Sequence, residues 1–230
     1  MSKHWVGLLF LVAGTVGFPA LARAQDARVV TANSSKGRIL EIAFDPPGST
    51  VLNTDASSRV GLQSLVFRDD GAAGVHLFAA DHQRGQVVFY TGAAGAGAIV
   101  LDGATATHPK FPDGLSLDAR DNLFGTSSAT GAGADKDARV WVIRRNASCT
   151  AGCLPGGYAP TVGTLDGTVR ISIPIAGVPT LVTVVLLQET REVPFNAGAL
   201  TAGDLLVLAS DPAVLLRYPA AAVEAFLATL

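Results

Sequence analysis

Charge is scarce in this chain. Only 16% of its 230 residues are Asp, Glu, Lys or Arg, while 49% are hydrophobic. That balance excludes a disordered chain, which needs low hydrophobicity and high net charge. The basic residues form no stripe, so nucleic acid is not an expected partner. Several chemical signatures are missing too. No P-loop or dinucleotide fingerprint occurs, and the Gly/Ala run 92–97 lacks the Lys-Ser/Thr that would cradle phosphate. There is no Gly-x-Ser-x-Gly elbow of a serine hydrolase. The loop 131–137 holds two acids and alternating glycines but no closing Glu, which a twelve-residue calcium loop requires. It reads as a long loop between strands, a place where binding often resides. Cysteine is limited to Cys149 and Cys153, with no second Cys or His pair at zinc-site spacing. Past the N-terminus, the most apolar segment, 180–187, is only strand-length, far short of the ~20 residues of a membrane span.

The N-terminus does carry a pattern. Lys3 supplies a positive charge, with His4 beside it, and 5–21 is uncharged. Ala22-Arg23-Ala24 then places small residues at both positions read by a signal peptidase. Gly14, Gly17 and Pro19 interrupt the apolar run, which suits a cleavage region better than a membrane anchor. The expected organisation is a signal peptide, 1–24, cut after Ala24, and a working domain, 25–230. Export to a periplasm or the extracellular space follows, with no stable membrane insertion after cleavage. Removing Lys3 and Arg23 from the 17 basic residues leaves 15 against 19 acidic, a formal charge of −4. About 206 residues remain, enough for one domain with a sizeable core. In an oxidising compartment Cys149 and Cys153 are expected to form a disulfide within the turn-rich segment 146–157. Half a metal site and two free thiols are the other readings. Asn146-Ala147-Ser148 is a formal glycosylation acceptor in a host that glycosylates.

One phrase repeats along the working chain. An apolar alternating strand leads to a turn with Asp and Gly or Asn, then a second apolar strand, a polar turn and a third strand. Its clearest copy runs Pro112-Asp113-Gly114-Leu115-Ser116-Leu117-Asp118-Ala119-Arg120-Asp121-Asn122-Leu123-Phe124 and resumes at Ala138-Arg139-Val140-Trp141-Val142-Ile143. A second copy spans Leu65-Val66-Phe67-Arg68-Asp69-Asp70-Gly71, Val75-His76-Leu77-Phe78-Ala79-Ala80-Asp81 and Gln86-Val87-Val88-Phe89-Tyr90. Weaker copies flank them. Residues 28–32 precede a turn at 33–37, and 38–42 match the third strand. Residues 199–208 match the first two strands, and 214–218 follow the turn Asp211-Pro212. Segments 168–173 and 181–187 read as further strands, and 219–230 as a short helix. The pairs Leu77-Phe78 and Leu123-Phe124 lie 46 residues apart, a spacing typical of propeller repeats of about 40–50 residues. The expected fold is all-β: a β-propeller of four-stranded antiparallel blades, about four to five of them visible.

The phrase from Pro112 to Phe124, with Leu77-Phe78-Ala79-Ala80-Asp81 and Arg84-Gly85-Gln86-Val87, resembles the NHL-repeat and SMP-30/gluconolactonase type of six-bladed propeller. A six-bladed ring at about 45 residues per blade needs about 270 residues. The expectation therefore divides between a smaller ring, blades too diverged to see, and a fragment of a six-bladed ring. The resemblance implies that an aspartate in the position of Asp81 helps hold a divalent metal at the mouth of the ring, and oxygen ligands suit calcium. It also implies an asparagine from an Asn-Gly strand start and an inner-strand glutamate. Here Leu62-Gln63-Ser64-Leu65 stands at that start, and Glu41, the sole early acid in a strand, falls in a third strand. Asp118 and Asn122 are more simply turn residues. His76, His82 and His108 are not spaced as a metal motif and read as surface or turn residues.

Three functional readings follow. The first is an exported binding or scaffold module for a small molecule or protein of unstated identity, with no cofactor required and no catalytic residue assigned. The second is a metal-dependent lactonase-like hydrolase using Asp81 and a divalent cation such as calcium. The third is a truncated propeller without independent activity.

Overall fold

A computed structural model describes residues 28–33, 38–44, 47–53, 61–70, 75–91, 97–105, 108–127, 139–149, 151–165, 171–174, 183–186, 200–210 and 213–230. The expected signal peptide with its cleavage point at Ala24, and the acidic loop 131–137, lie outside the described residues.

The described strands form four antiparallel sheets. The first joins β1 (Arg28–Asn33), β2 (Arg38–Phe44) and β3 (Pro47–Asn53) in that order. The second is a meander of β4 (Leu62–Asp69), β5 (Val75–Asp81), β6 (Gln86–Thr91) and β7 (Ala98–Asp102). The third is a meander of β8 (Pro112–Leu117), β9 (Leu123–Ser127), β10 (Arg139–Arg145) and β11 (Tyr158–Thr164). The fourth contains β12 (Ile171–Pro174), β13 (Thr183–Leu186), β14 (Leu205–Ser210) and β15 (Ala213–Tyr218), in spatial order β12-β15-β14-β13. A short helix, α1 (Ala220–Leu227), follows. This is an all-β fold of propeller-like blades.

The alternation of side chains explains why sheets stack on one another. Successive residues of a strand point to opposite faces. In β5, Phe78 and Ala80 enter one apolar cluster, while Leu77 and Ala79 enter another. Strand β6 divides in the same way, with Val87 and Phe89 on one side and Val88 and Tyr90 on the other. In β10, Trp141 and Ile143 face the second sheet's cluster, while Val140 and Val142 meet Leu205, Val207, Leu216 and α1. Middle strands are therefore buried on both faces, which requires near-continuous apolar sequence. Trp141, Phe78, Phe124 and Leu123 are completely enclosed.

Turns form where small polar residues can bond their own backbone. Asp118 accepts N–H bonds from Arg120 (2.9 Å) and Asn122 (2.8 Å), closing the β8–β9 turn with Asp121 at φ 62°. Gly85, at φ 67°, closes the β5–β6 turn.

Some repeat assignments shift. Residues 38–42 lie in β2, the middle of three strands, because β3 pairs beyond it. Residues 201–204 form a turn before β14, and the strand preceding β14 in its meander is β13. The place beyond β15 is filled by β12, which comes from upstream in sequence.

Candidate functional site

Asp81 ends β5, where the second and third sheets meet. At this end β4 and β8 begin and β5 and β9 finish. Both first strands slip register here, between Leu62 and Ser64 in β4 and between Pro112 and Leu115 in β8. Such bulges re-aim side chains and favour functional rims. Asp81 is fully buried, and its Oδ1 accepts the Arg84 N–H at 3.1 Å across the turn.

His82 follows in that turn. Its Nδ1 lies 2.6 Å from Asp113 Oδ1 on β8. An ionised carboxylate only accepts, so Nδ1–H donates. The Phe111 ring leans on the imidazole at 5.5 Å, held by a backbone at φ 51°. Non-glycine residues seldom adopt that conformation, and it costs about 1–3 kcal/mol. A histidine oriented by a carboxylate is the arrangement of a general base. The neighbouring hydroxyls hold the sheets in place. Ser64 Oγ accepts from Leu115 N–H (3.1 Å), and Thr126 Oγ1 accepts from Gly114 N–H (3.0 Å). Trp141 Nε1–H donates to Ser127 Oγ at 3.1 Å.

A second polar cluster occupies the opposite end. Arg68 is 3% exposed, on the β4 face that also carries Val66. A buried charge must be paired. Its Nε and Nη2 each donate to Asp70 at 2.8 Å, and Nη1 donates to the Gly156 carbonyl at 2.9 Å. The guanidinium also sits 5.5–5.6 Å from the centres of Phe78, Phe89 and Tyr158. Burial opposes the Arg68 charge, yet its bonds to Asp70 and its attraction to neighbouring groups raise its pKa. The same guanidinium holds the Asp70 carboxyl below its ordinary range. His76 Nε2 lies 3.0 Å from Asp70 Oδ2. Arg145 Nη1 donates to the carbonyls of Gly156 (2.6 Å) and Gly157 (2.7 Å). Tyr158 donates to the Asp121 carbonyl at 2.9 Å, and burial pushes its hydroxyl up to about 12. Burial also raises the Asp121 carboxyl.

The structure thus brings Asp81, His82 and Asp113 to one end and sets His76 at the other. His76 is 8% exposed, so it is an interior residue and not a surface one. His108 folds back on its own loop, with Nδ1 3.1 Å from the Asp102 carbonyl oxygen. Among the described residues no group of three or more His, Cys, Asp or Glu is arranged to hold a metal. Cys149 and Cys153 stand at disulfide distance, with Cα atoms 6.0 Å apart. No described helix is long and apolar enough to cross a membrane.

Sequence reasoning passed over Arg68, Arg145 and the pairing partner Asp113. Arg68 left one signal. It is a lone cation in an apolar alternating strand, at an inward position by parity with Val66. No protein-family model matches the chain, and no curated protein matches it significantly.

Proposed function

We propose that the protein is an exported binding module built on propeller-like blades of the NHL type. One observation carries this reading. At the end where a propeller enzyme would hold its metal, the polar side chains of Asp81, Ser64 and Thr126 bond backbone N–H groups and fix turns and sheet contacts. Such an end is a rigid frame that presents loops. The signal-like N-terminus and the cysteine pair support export.

A second reading is favoured by the His82–Asp113 pair beside the fully buried Asp81. It is the lactonase-like hydrolase, with Asp81 and a divalent cation such as calcium. The melting temperature of the purified protein with calcium, manganese or zinc separates the two. A cation at 100 times its Kd adds about 2.7 kcal/mol to stability. The binding-module reading expects no such shift with any of the three, and a shift abolished by Asp81→Ala would overturn it.

A further inference from the structure

A cleft of about 280 Å³ opens between β10 and α1, lined by Arg120, Asn122, Arg144, Arg145, Glu224 and Leu227. Its size is near the lower end of small-molecule sites, about 300 Å³. Three of its lining residues are arginines and one is a glutamate, in a chain whose formal net charge is −2. The cleft is a local reversal of the protein's overall sign.

Two of the walls are fixed in advance. Arg145 uses one amino group for the Gly156 and Gly157 carbonyls, which locks the plane of the whole guanidinium. Asn122 donates to Asp118 at 2.6 Å and accepts the Arg145 backbone N–H at 2.9 Å. The nearby Asp118 carboxylate also receives the Arg120 and Asn122 N–H groups. Asp121, the other acid nearby, has a carboxyl that burial raises. Arg144 stands exposed. Arg120 reaches Glu224 of α1 across 104 residues of sequence, and both side chains are 58% exposed. An ion pair so exposed contributes little to stability and opens easily.

We infer that this cleft binds a small ligand bearing a carboxylate or phosphate group, with Arg144 receiving the anion and Glu224 competing with it for Arg120. Planar guanidinium forks match both oxyanions. The inference deepens the binding-module reading and rests on it.

The test is calorimetric titration of the full mature chain with citrate and, separately, inorganic phosphate, repeated with Arg144→Glu and Glu224→Gln. At least one anion is expected to bind with a Kd below about 1 mM. Arg144→Glu should weaken it at least tenfold, and Glu224→Gln should tighten it. The anion that binds identifies the carboxylate or the phosphate source. Both altered positions are exposed, and unchanged circular dichroism would confirm that the variants fold. Absence of binding by either anion, or an affinity untouched by Arg144→Glu, would overturn the inference. The metal titration above fails separately from this one, so the site and the broader reading are distinguishable.

Discussion

Asp204 is the residue whose loss should be felt most in the fourth sheet. It is fully buried in the turn before β14. Its carboxylate accepts from Thr201 N–H at 2.9 Å, Ala220 N–H at 2.8 Å and Arg217 Nε at 2.8 Å, and Arg217 Nη2 also lies 2.8 Å away. Arg217, on β15, is 7% exposed. Helix α1 has Pro219 at its N-cap and no side-chain cap of its own. Asp204 therefore acts as a borrowed cap, and its charge also suits the helix N-terminus. Asp204→Ala would leave a buried guanidinium without this carboxylate, a change that costs about 3–5 kcal/mol. For a domain of this size each kcal/mol lowers Tm by about 2–4 °C, so a drop of about 6–20 °C is expected. Urea unfolding followed by Trp141 fluorescence gives the free energy directly, because the other tryptophan, Trp5, lies in the expected signal. Asp204→Leu combined with Arg217→Met should recover part of the loss, since apolar replacement of a buried pair is often neutral. A cost below about 1 kcal/mol for Asp204→Ala would refute the carboxylate's role as hub.

Gly125→Ala should destabilise by about 1–3 kcal/mol, because its new Cβ would overlap the Trp141 indole that pairs across from it. Unfolding curves read by Trp141 emission would test this, and an unchanged midpoint would count against the packing. Tyr158 should give an alkaline stability slope: its folded pKa is raised from 10.0 to about 12. The folded chain thus holds the proton more tightly, and the stability so conferred is complete below about pH 10 and falls by about 3 kcal/mol as pH rises through 12. Tyr158→Phe should flatten that slope at a cost of about 1 kcal/mol at neutral pH from the lost hydrogen bond, as read by denaturation across the pH range. Reducing the Cys149–Cys153 bond should cost at most about 2 kcal/mol, given the short loop it closes. Mass spectrometry of the unreduced protein should show the loss of two hydrogens across the pair, and free alkylation of both thiols would refute it.

What was legible in the sequence was local. Short continuous apolar runs within 75–81, 86–90 and 139–143 mark β5, β6 and β10, because each strand must feed two apolar clusters at once. The 46-residue spacing works because Leu77-Phe78 and Leu123-Phe124 both sit in the second strand of a four-stranded meander. Asp118 announced its turn, since its carboxylate needs only residues two and four places on. The illegible parts depend on distant partners. Strand β12 gives no sign that it will pair with β15 rather than with β13. Nothing near Pro219 reveals that its helix is capped from residue 204. The candidate cleft joins β10 to α1, and neither segment reads as half of a site.

The polar contacts between sheets have a common logic. Among the described residues neighbouring sheets are not joined by strand pairing, so packing of apolar faces supplies the attraction between them. That attraction is non-directional and would tolerate small slides of one face over another. Hydrogen bonds do not, because they weaken steeply with distance and angle. His82–Asp113 and Ser64–Leu115 bind the second sheet to the third at one end. Arg68 reaching the Gly156 carbonyl binds them at the other. Two anchored ends leave a stacked pair one alignment, and buried partners make misalignment costly because each displaced group loses its bond without regaining water. The residues that look most like chemistry in this chain therefore set the register between its blades, and a ligand site is better sought in the recess that this register holds open beside α1.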